Sequence, residues 1–428
     1  MTIWDQKAAA EKVENFDNLD LQQQKRLIER LNHTFPPERY RAHRDARLRA
    51  EAHMHASRNL LENAIQHYPP VMTSDELAPT FDVLRDCAVL LTAGGEGERL
   101  RKSLEENGTA EEHLRDFTKA TFPLPDFFED FGALHINLAI LAKICREHDL
   151  SIPVIVSTGP RGSTTSRVIP SIVERFRRAG LPHLLTISQD ERLHLTVDEK
   201  IAWQMTQDGE ILPVTHPDET GGPIMRLKQP FDNYPSILTW LKEKGSRTVL
   251  VLQATALYDT RIILDMAEAS LNRDCVGVGI ARDSFPADDP YGTFVEIERD
   301  NQKKIHIVEQ AVRNDQTRRI QDPHAGKFLP YNTGFYAFDI DLLEKNDLPD
   351  YATPPKEILP SLTRSPKAGY AATDLLPLAN NPVILTVNPF SFAVIKNADD
   401  LPRLSSLARS LGLEDACRSA RELINKPL

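Results

Sequence analysis

The run Ala88 to Leu100, AVLLTAGGEGERL, constrains this chain most, because a short apolar segment breaks directly into a glycine-rich turn followed by Arg99 and Arg101. Ala88 to Leu91 suit a buried parallel strand. Gly94, Gly95 and Gly97 let the next stretch of backbone pass close to phosphate oxygens with its amide N–H groups turned inward. Arg99 adds a charge-assisted donor at the same place. The spacing is neither GxGxxG nor GxxxxGK[ST], so the dinucleotide fingerprint and the P-loop are both excluded. A turn that only reverses the chain is the competing reading.

The 428 residues suffice for two or three domains, and 41% hydrophobic with 26% charged residues is an ordinary globular balance. A net charge of −11 argues against a broad nucleic-acid surface, which needs clustered positive charge, but leaves room for small anions in local basic pockets. Cys87, Cys145, Cys275 and Cys417 are widely spaced and form no zinc or disulfide pattern, so they are expected to be buried thiols. The N-terminal stretch is charged from Asp5 onward, and no run approaches the roughly 18 apolar residues of a membrane span. A cytoplasmic protein is the expectation.

Thr2 to Tyr68 is rich in Ala, Glu, Gln, Leu and Arg, with Leu19, Leu21, Leu27, Ile28 and Leu31 largely at helical spacing. Pro36-Pro37 divides this helical region and Pro69-Pro70 closes it. Beyond Leu84, short apolar runs alternate with amphipathic stretches. Strands are expected at Ala88 to Leu91, Ile152 to Ser157, Thr248 to Leu252, Cys275 to Ile280 and Thr293 to Ile297; helices at Ala133 to His148, Arg167 to Ala179 and Ile262 to Asn272. Such alternation implies a largely parallel α/β sheet with its ligand crevice at the carboxyl ends of the strands, where the glycine turn falls. From about Pro349 a proline-rich linker leads to strand-like runs at Val383 to Val387 and Phe392 to Lys396, then a helix from Leu401. The expected division is 1–80 helical, 81–348 α/β, and 349–428 a small α+β region.

Four further segments join the glycine turn. FTKATFPLP places Lys119 four residues before Pro123, so that a lysine can reach toward the turn. The stretch between, Lys102 to Arg115, is long and charged and reads as a loop. SQDERLHLT carries Gln189, whose amide both donates and accepts, and is followed by a short polar stretch with Asp208-Gly209 and by HPDETGGPIMRL. YNTGFYAFDIDLL follows a probable strand pair, FVEIERDNQKKIHIVEQ. Near the end, NPFSFAVIKNADDL carries Lys396.

Together these segments, over roughly Leu84 to Leu407, resemble the eukaryotic-type UDP-sugar pyrophosphorylases, with the helical N-terminal region similar to that of the UDP-N-acetylhexosamine pyrophosphorylases. The resemblance implies a nucleotidyltransferase-type, Rossmann-like mixed sheet flanked by helices. It implies that Gly94, Gly95, Gly97, Gln189, Pro217, Gly221 and Gly222 bind a nucleotide, with Gln189 at the uracil edge. It also implies that Gly292, Glu309 and Asn332 bind a sugar and that Arg99, Lys119 and Lys396 act on the phosphates. The implied substrates are UTP, or another nucleoside triphosphate, and a hexose or N-acetylhexosamine 1-phosphate, with Mg²⁺ as cofactor. Departures are Thr255, where the family pattern has the metal-binding aspartate; Glu98, where a small hydroxyl residue is common; and Glu219-Thr220, where Gly-Asn is usual. Asp259 replaces the missing carboxylate only if its loop folds back. An inactive nucleotide or nucleotide-sugar binding protein is the alternative these departures raise. A glycosyltransferase is a third reading, disfavoured by Lys119 and Lys396.

Overall fold

A computed structural model of the chain describes residues 3–425 except 96, 129, 207, 287–288 and 354–364. These residues form two compact units, neither continuous in sequence. One comprises residues 1–62, 190–222 and 348–372; the other comprises 63–189, 223–347 and 373–428. The consecutive segments 1–80, 81–348 and 349–428 each cross this division.

The larger unit is built on a mixed sheet. Its strands run in the order Val71–Thr73, Pro382–Thr386, Cys275–Arg282, Phe328–Asp339, Thr248–Gln253, Cys87–Thr92, Val154–Thr158 and Leu184–Ser188. The last four are parallel to one another in register, Leu91 opposite both Leu252 and Val156. Phe328–Asp339 lies antiparallel to both its neighbours and joins this block to a second parallel group of three strands. The carboxyl ends of the parallel strands therefore open on one edge. That edge is where an α/β sheet of this kind offers a crevice.

Near-continuous apolar runs fit strands covered on both faces: Cys87 to Leu91 and Val154 to Val156 are all buried. The helix Ala133–Glu147 buries Leu134, Ile136, Leu138, Ile140, Leu141 and Ile144, each contributing about 1.5–3 kcal/mol relative to exposure. Thr293–Arg299 and Gln302–Val308 form a hairpin whose two-residue turn, Asp300-Asn301, takes positive φ at both positions, matching the twist of the flanking strands. The closing helix Asp400–Ser410 stops at Gly412, where φ is +63° and the amides of Gly412 and Leu413 return to the carbonyls of Arg409 and Ala408. A second helix, Glu414–Ile424, follows it.

The loop expected at Lys102 to Arg115 is a correction: it continues the helix Glu98–Glu106 and ends in a short turn of helix, Glu111–Leu114. Leu100 and Leu104, four residues apart, bury one face, and the charges form the solvent face, with Arg101 pairing to Glu105 and Lys102 to Glu106.

The smaller unit packs the helices Gln6–Lys12, Leu21–Thr34 and Pro37–Asn63 with short strand pairs, Glu191–Leu193 with Thr215–Pro217 among them. Asp20 and Gln23 make a capping box, and Pro37 sits at a first helical position where its missing N–H costs nothing. Trp4, Phe16, Leu27, Leu31, Phe35 and Tyr40 pack with Leu193, Leu195 and Ile201. The reversal at Asp208-Gly209 joins Trp203–Met205 to Ile211–Pro213. Of the expected proline-rich linker, 354–364 lies outside the described residues, and what flanks it forms the strand pair Asp350–Ala352 with Ala368–Tyr370. All four cysteines are free and buried. Among the described residues, no helix is long and apolar enough to cross a membrane.

This unit holds histidines that burial keeps neutral. Burial lowers His194 to about 4 and His216 and His43 to about 3, with neighbouring positive charge adding to the effect. Burial also raises Asp218 to about 7. An unfolded histidine protonates near 6.5, so as pH falls from about 6.5 toward 4 the unfolded chain takes up protons that these folded histidines refuse, and stability is lost. Asp218 works the other way, since it takes up its proton in the folded state first. Three groups against one leave a net loss of roughly 2–3 kcal/mol per pH unit in that window. Urea melts at pH 7 and pH 5 in a Trp240→Phe variant, followed by Trp4 and Trp203, are expected to reveal it. Equal midpoints at the two pH values would contradict the buried neutral histidines.

Candidate active site

The glycine turn leaves the carboxyl end of Cys87–Thr92. Ala93 donates to the Ser157 carbonyl of the adjacent strand, 2.7 Å, which holds the start of the turn to the sheet. At Gly94 a Cβ would lie 1.9 Å from Gln189 Oε1, so the Gln189 amide sits directly against that backbone. Gln189 itself is buried, its N–H donating to the Thr158 carbonyl at 3.1 Å. Gly97 has φ +72° and begins the helix Glu98–Glu106, and a Cβ there would come within 2.9 Å of Lys119 Cβ and the Phe117 ring. Gly95 needs its small size for neither reason: it is exposed and a Cβ on it would meet nothing within 4 Å. A glycine in that position leaves backbone open to an approaching ligand.

Arg99 is exposed on the first turn of this helix, whereas Arg101 turns away, bonding the Leu114 carbonyl and lying 5.4 Å from the Phe117 ring centroid. Glu98, also in the first turn, is favourably placed for the helix dipole, which accounts for an acid at this position.

Lys119 stands in a tight turn pinned by a hydrogen bond between the Thr118 and Thr121 hydroxyls, 2.6 Å, and pressed against Gly132, where a Cβ would come within 2.5 Å of Thr121 backbone. Burial lowers the Lys119 ammonium to about 8; Asp400 opposes this, and the positive charges of Lys396 and Arg99 add to it. The three cations expected from the sequence therefore share one electrostatic neighbourhood.

Lys396 follows the strand Phe392–Val394, which pairs with Ala256–Tyr258 beyond the end of Thr248–Gln253. The Ile395 N–H donates to the Thr255 carbonyl, and Asp400 Oδ2 accepts from the backbone of both Lys396 and Asn397, at 2.7 and 2.9 Å. The Lys396 ammonium lies 3.7 Å from the centroid of the Tyr291 ring.

Gly292, Glu309 and Asn332 also meet. The Asn332 N–H donates to the Gly292 carbonyl at 2.8 Å, and a Cβ on Gly292 would lie 2.9 Å from Glu309 Oε1. Glu309 is exposed as a residue, yet its carboxyl lies against protein, which raises its pKa, with Arg313 opposing. Asn332 Oδ1 accepts from the Gly334 N–H, 2.9 Å, and its amide bonds the Tyr336 hydroxyl, so the side chain braces its own turn. Gln253 belongs to none of the sequence motifs. It ends its strand opposite Thr92 and donates to the Thr333 carbonyl at 2.9 Å, beside Gly334 at φ +79°. Its only signal is its place at a strand end beside the glycine strand.

Pro217, Gly221 and Gly222 fall in the smaller unit. Gly221 donates to the Tyr370 carbonyl and would clash there if it carried a Cβ, and Gly222 gives room to the Asp218 carboxyl. These glycines thus have packing reasons of their own.

Among the described residues, neither position expected to supply a Mg²⁺ carboxylate does so. Thr255 offers only a neutral hydroxyl, and Asp259 does not fold back but caps the helix Thr260–Ser270 by accepting from the Arg261 N–H. Among the described residues, no three His, Cys, Asp or Glu side chains gather to hold a metal ion.

No family model matches the chain, and no curated protein matches its sequence. Solved structures do match. The UDP-N-acetylglucosamine pyrophosphorylase of Trypanosoma brucei, in complex with an inhibitor, aligns with TM-score 0.65 and 14% identity over 92% of this chain and 80% of its own. A mutant UDP-glucose pyrophosphorylase of Leishmania major, in complex with UDP-Glc, aligns with TM-score 0.57 and 17% identity over 90% and 78%. A UDP-glucose phosphorylase of Trypanosoma brucei aligns with TM-score 0.55 and 16% identity over 79% and 70%. The chain has the fold of the UDP-sugar pyrophosphorylases.

Proposed function

We propose that the chain is a uridylyltransferase, forming a UDP-sugar and pyrophosphate from UTP and a hexose or N-acetylhexosamine 1-phosphate. The observation that carries this reading is the gathering of Lys119, Lys396 and Arg99 in the unit where Gln189 lies against a glycine turn at a strand end. The likeness in fold to enzymes of this class supports it. An oxygen of the sugar phosphate attacks the α-phosphorus of UTP; the new O–P bond forms as the bond to the β-phosphate bridging oxygen breaks, and that oxygen leaves on pyrophosphate. The chain's part is to align two anions that repel one another and to stabilise charge at the reacting phosphorus. Lys119, Lys396 and Arg99 do this, Gln189 reads the base edge, and Gly292, Glu309 and Asn332 receive the sugar. Pro217, Gly221 and Gly222, which the sequence resemblance implies as nucleotide contacts, lie in the smaller unit and are given no part in this site. The donor set does not fit the expected Mg²⁺ ligand, so no step is assigned to a metal.

The test is pyrophosphate release from UTP across a panel of hexose and aminohexose 1-phosphates, with and without Mg²⁺. Release that depends on one sugar phosphate supports the reading. Silence across the panel with saturable UTP binding would favour instead a binding protein without turnover, a reading that the neutral Thr255 and the capping role of Asp259 motivate.

A further inference from the structure

We propose that Tyr291 is a positioning residue, holding the Lys396 ammonium where it meets a phosphate of the bound nucleotide. This rests on the reading of Lys396 as a phosphate contact. The ammonium is 3.7 Å from the ring centroid, well inside the roughly 6 Å over which a ring face attracts a cation. Both partners are themselves fixed. The ring stacks on Tyr331 at a centroid distance of 4.7 Å, and the Tyr291 carbonyl accepts from the Arg313 guanidinium. Arg313 is anchored in turn on Asp289, which also binds Arg282, and all three side chains are buried. At the other end, Asp400 fixes the backbone of Lys396.

A lysine on a long flexible stem is thus tethered at its base and at its tip. The nature of the second tether matters. A carboxylate would cancel the charge, and it would occupy N–H donors. An aromatic face attracts the ammonium as a whole through its quadrupole and leaves full charge and donors for an incoming phosphate. Nothing in the core requires this contact, because Tyr291 is only half-buried and already has Tyr331 to pack against.

The experiment uses the full chain with lysines reductively methylated with ¹³C, which preserves their charge, and assigns the Lys396 resonance by its loss in Lys396→Arg. The ring current is expected to displace that resonance upfield in the wild type and in Tyr291→Phe, and not in Tyr291→Leu. Titration with UTP is expected to move it saturably, and calorimetry on the unmodified chain is expected to show affinity falling roughly 2- to 30-fold in Tyr291→Leu and recovering in Tyr291→Phe. An undisplaced resonance in the wild type, no response to UTP, or equal affinity in Tyr291→Leu would each overturn the proposal. So would a Phe variant that behaves like the Leu variant. Should Tyr291→Leu fail to fold, the wild-type resonance and its UTP response still decide. A chain that binds UTP through Lys396 yet releases no pyrophosphate would leave this role standing and remove the transferase reading.

Discussion

Replacing Lys396 with alanine is expected to slow pyrophosphate release by about 10²- to 10³-fold, the usual cost of deleting one preorganised donor from a centre where charge develops. The loss belongs to the ammonium and not to the turn that carries it. Asp400 accepts from the backbone N–H groups of Lys396 and Asn397, and the Ile395 N–H bonds the Thr255 carbonyl, so none of these contacts involves the deleted side chain. The variant should therefore fold as the wild type does, losing only the ring contact to Tyr291, about 0.5–1 kcal/mol of stability. UTP affinity should fall less than turnover, because Lys119 and Arg99 remain, and an interaction made mainly in the transition state is read in kcat. Lys396→Arg should recover part of the rate, since it keeps the charge but not the compact geometry. Steady-state rates with the best sugar phosphate from the panel, together with calorimetric UTP binding, make the measurement. Turnover within about twofold of wild type would remove Lys396 from the reacting phosphates.

The sequence carried the sheet well, for a physical reason. Strands buried on both faces read as apolar runs, so Ala88 to Leu91 and Thr248 to Leu252 were each found to within a residue or two of Cys87–Thr92 and Thr248–Gln253. Lys102 to Arg115 reads as a loop because charges dominate it, and only the spacing of Leu100 and Leu104 betrays the helix Glu98–Glu106 that runs into it. The interleaving of the two units left no mark in composition: 190–222 and 348–372 look like ordinary α/β connections until they pack against N-terminal helices. Within the larger unit, Gly94 lies against Gln189, and Gly292 against Glu309 and Asn332. Tyr291 and Gln253 could not be read in advance. Their places depend on which strand ends lie side by side, which is a property of sheet order and not of local pattern. The same holds for Asp259, whose carboxylate was a possible metal ligand until it proved to be the cap of its own helix.

Lys119 gives the second large effect, and its sign depends on pH. Burial, with smaller contributions from Lys396 and Arg99 against Asp400, lowers its ammonium to about 8 in the ligand-free chain. A bound triphosphate favours the charged form and so raises that value. Below pH 8 the lysine is already charged, and UTP binding takes up little proton. Above pH 8 the free chain has lost the proton that the complex retains, so binding must recover it from solvent. Affinity is then expected to fall with rising pH by up to about tenfold per pH unit until the pKa of the complex is reached. Calorimetry at pH 8.5 in two buffers of different ionisation enthalpy should register the proton uptake directly. Lys119→Met should abolish that uptake, flatten the pH dependence from this group, and lower turnover at pH 7 by about 10²-fold, as loss of a phosphate-facing cation does. Gly97 limits any rescue from the helix side, because a Cβ there would come within 2.9 Å of Lys119 Cβ, leaving the lysine no room to be replaced by a neighbouring side chain. UTP affinity that stays level from pH 7 to pH 9.5 in the wild type, without proton uptake, would mean that the Lys119 ammonium does not meet the triphosphate.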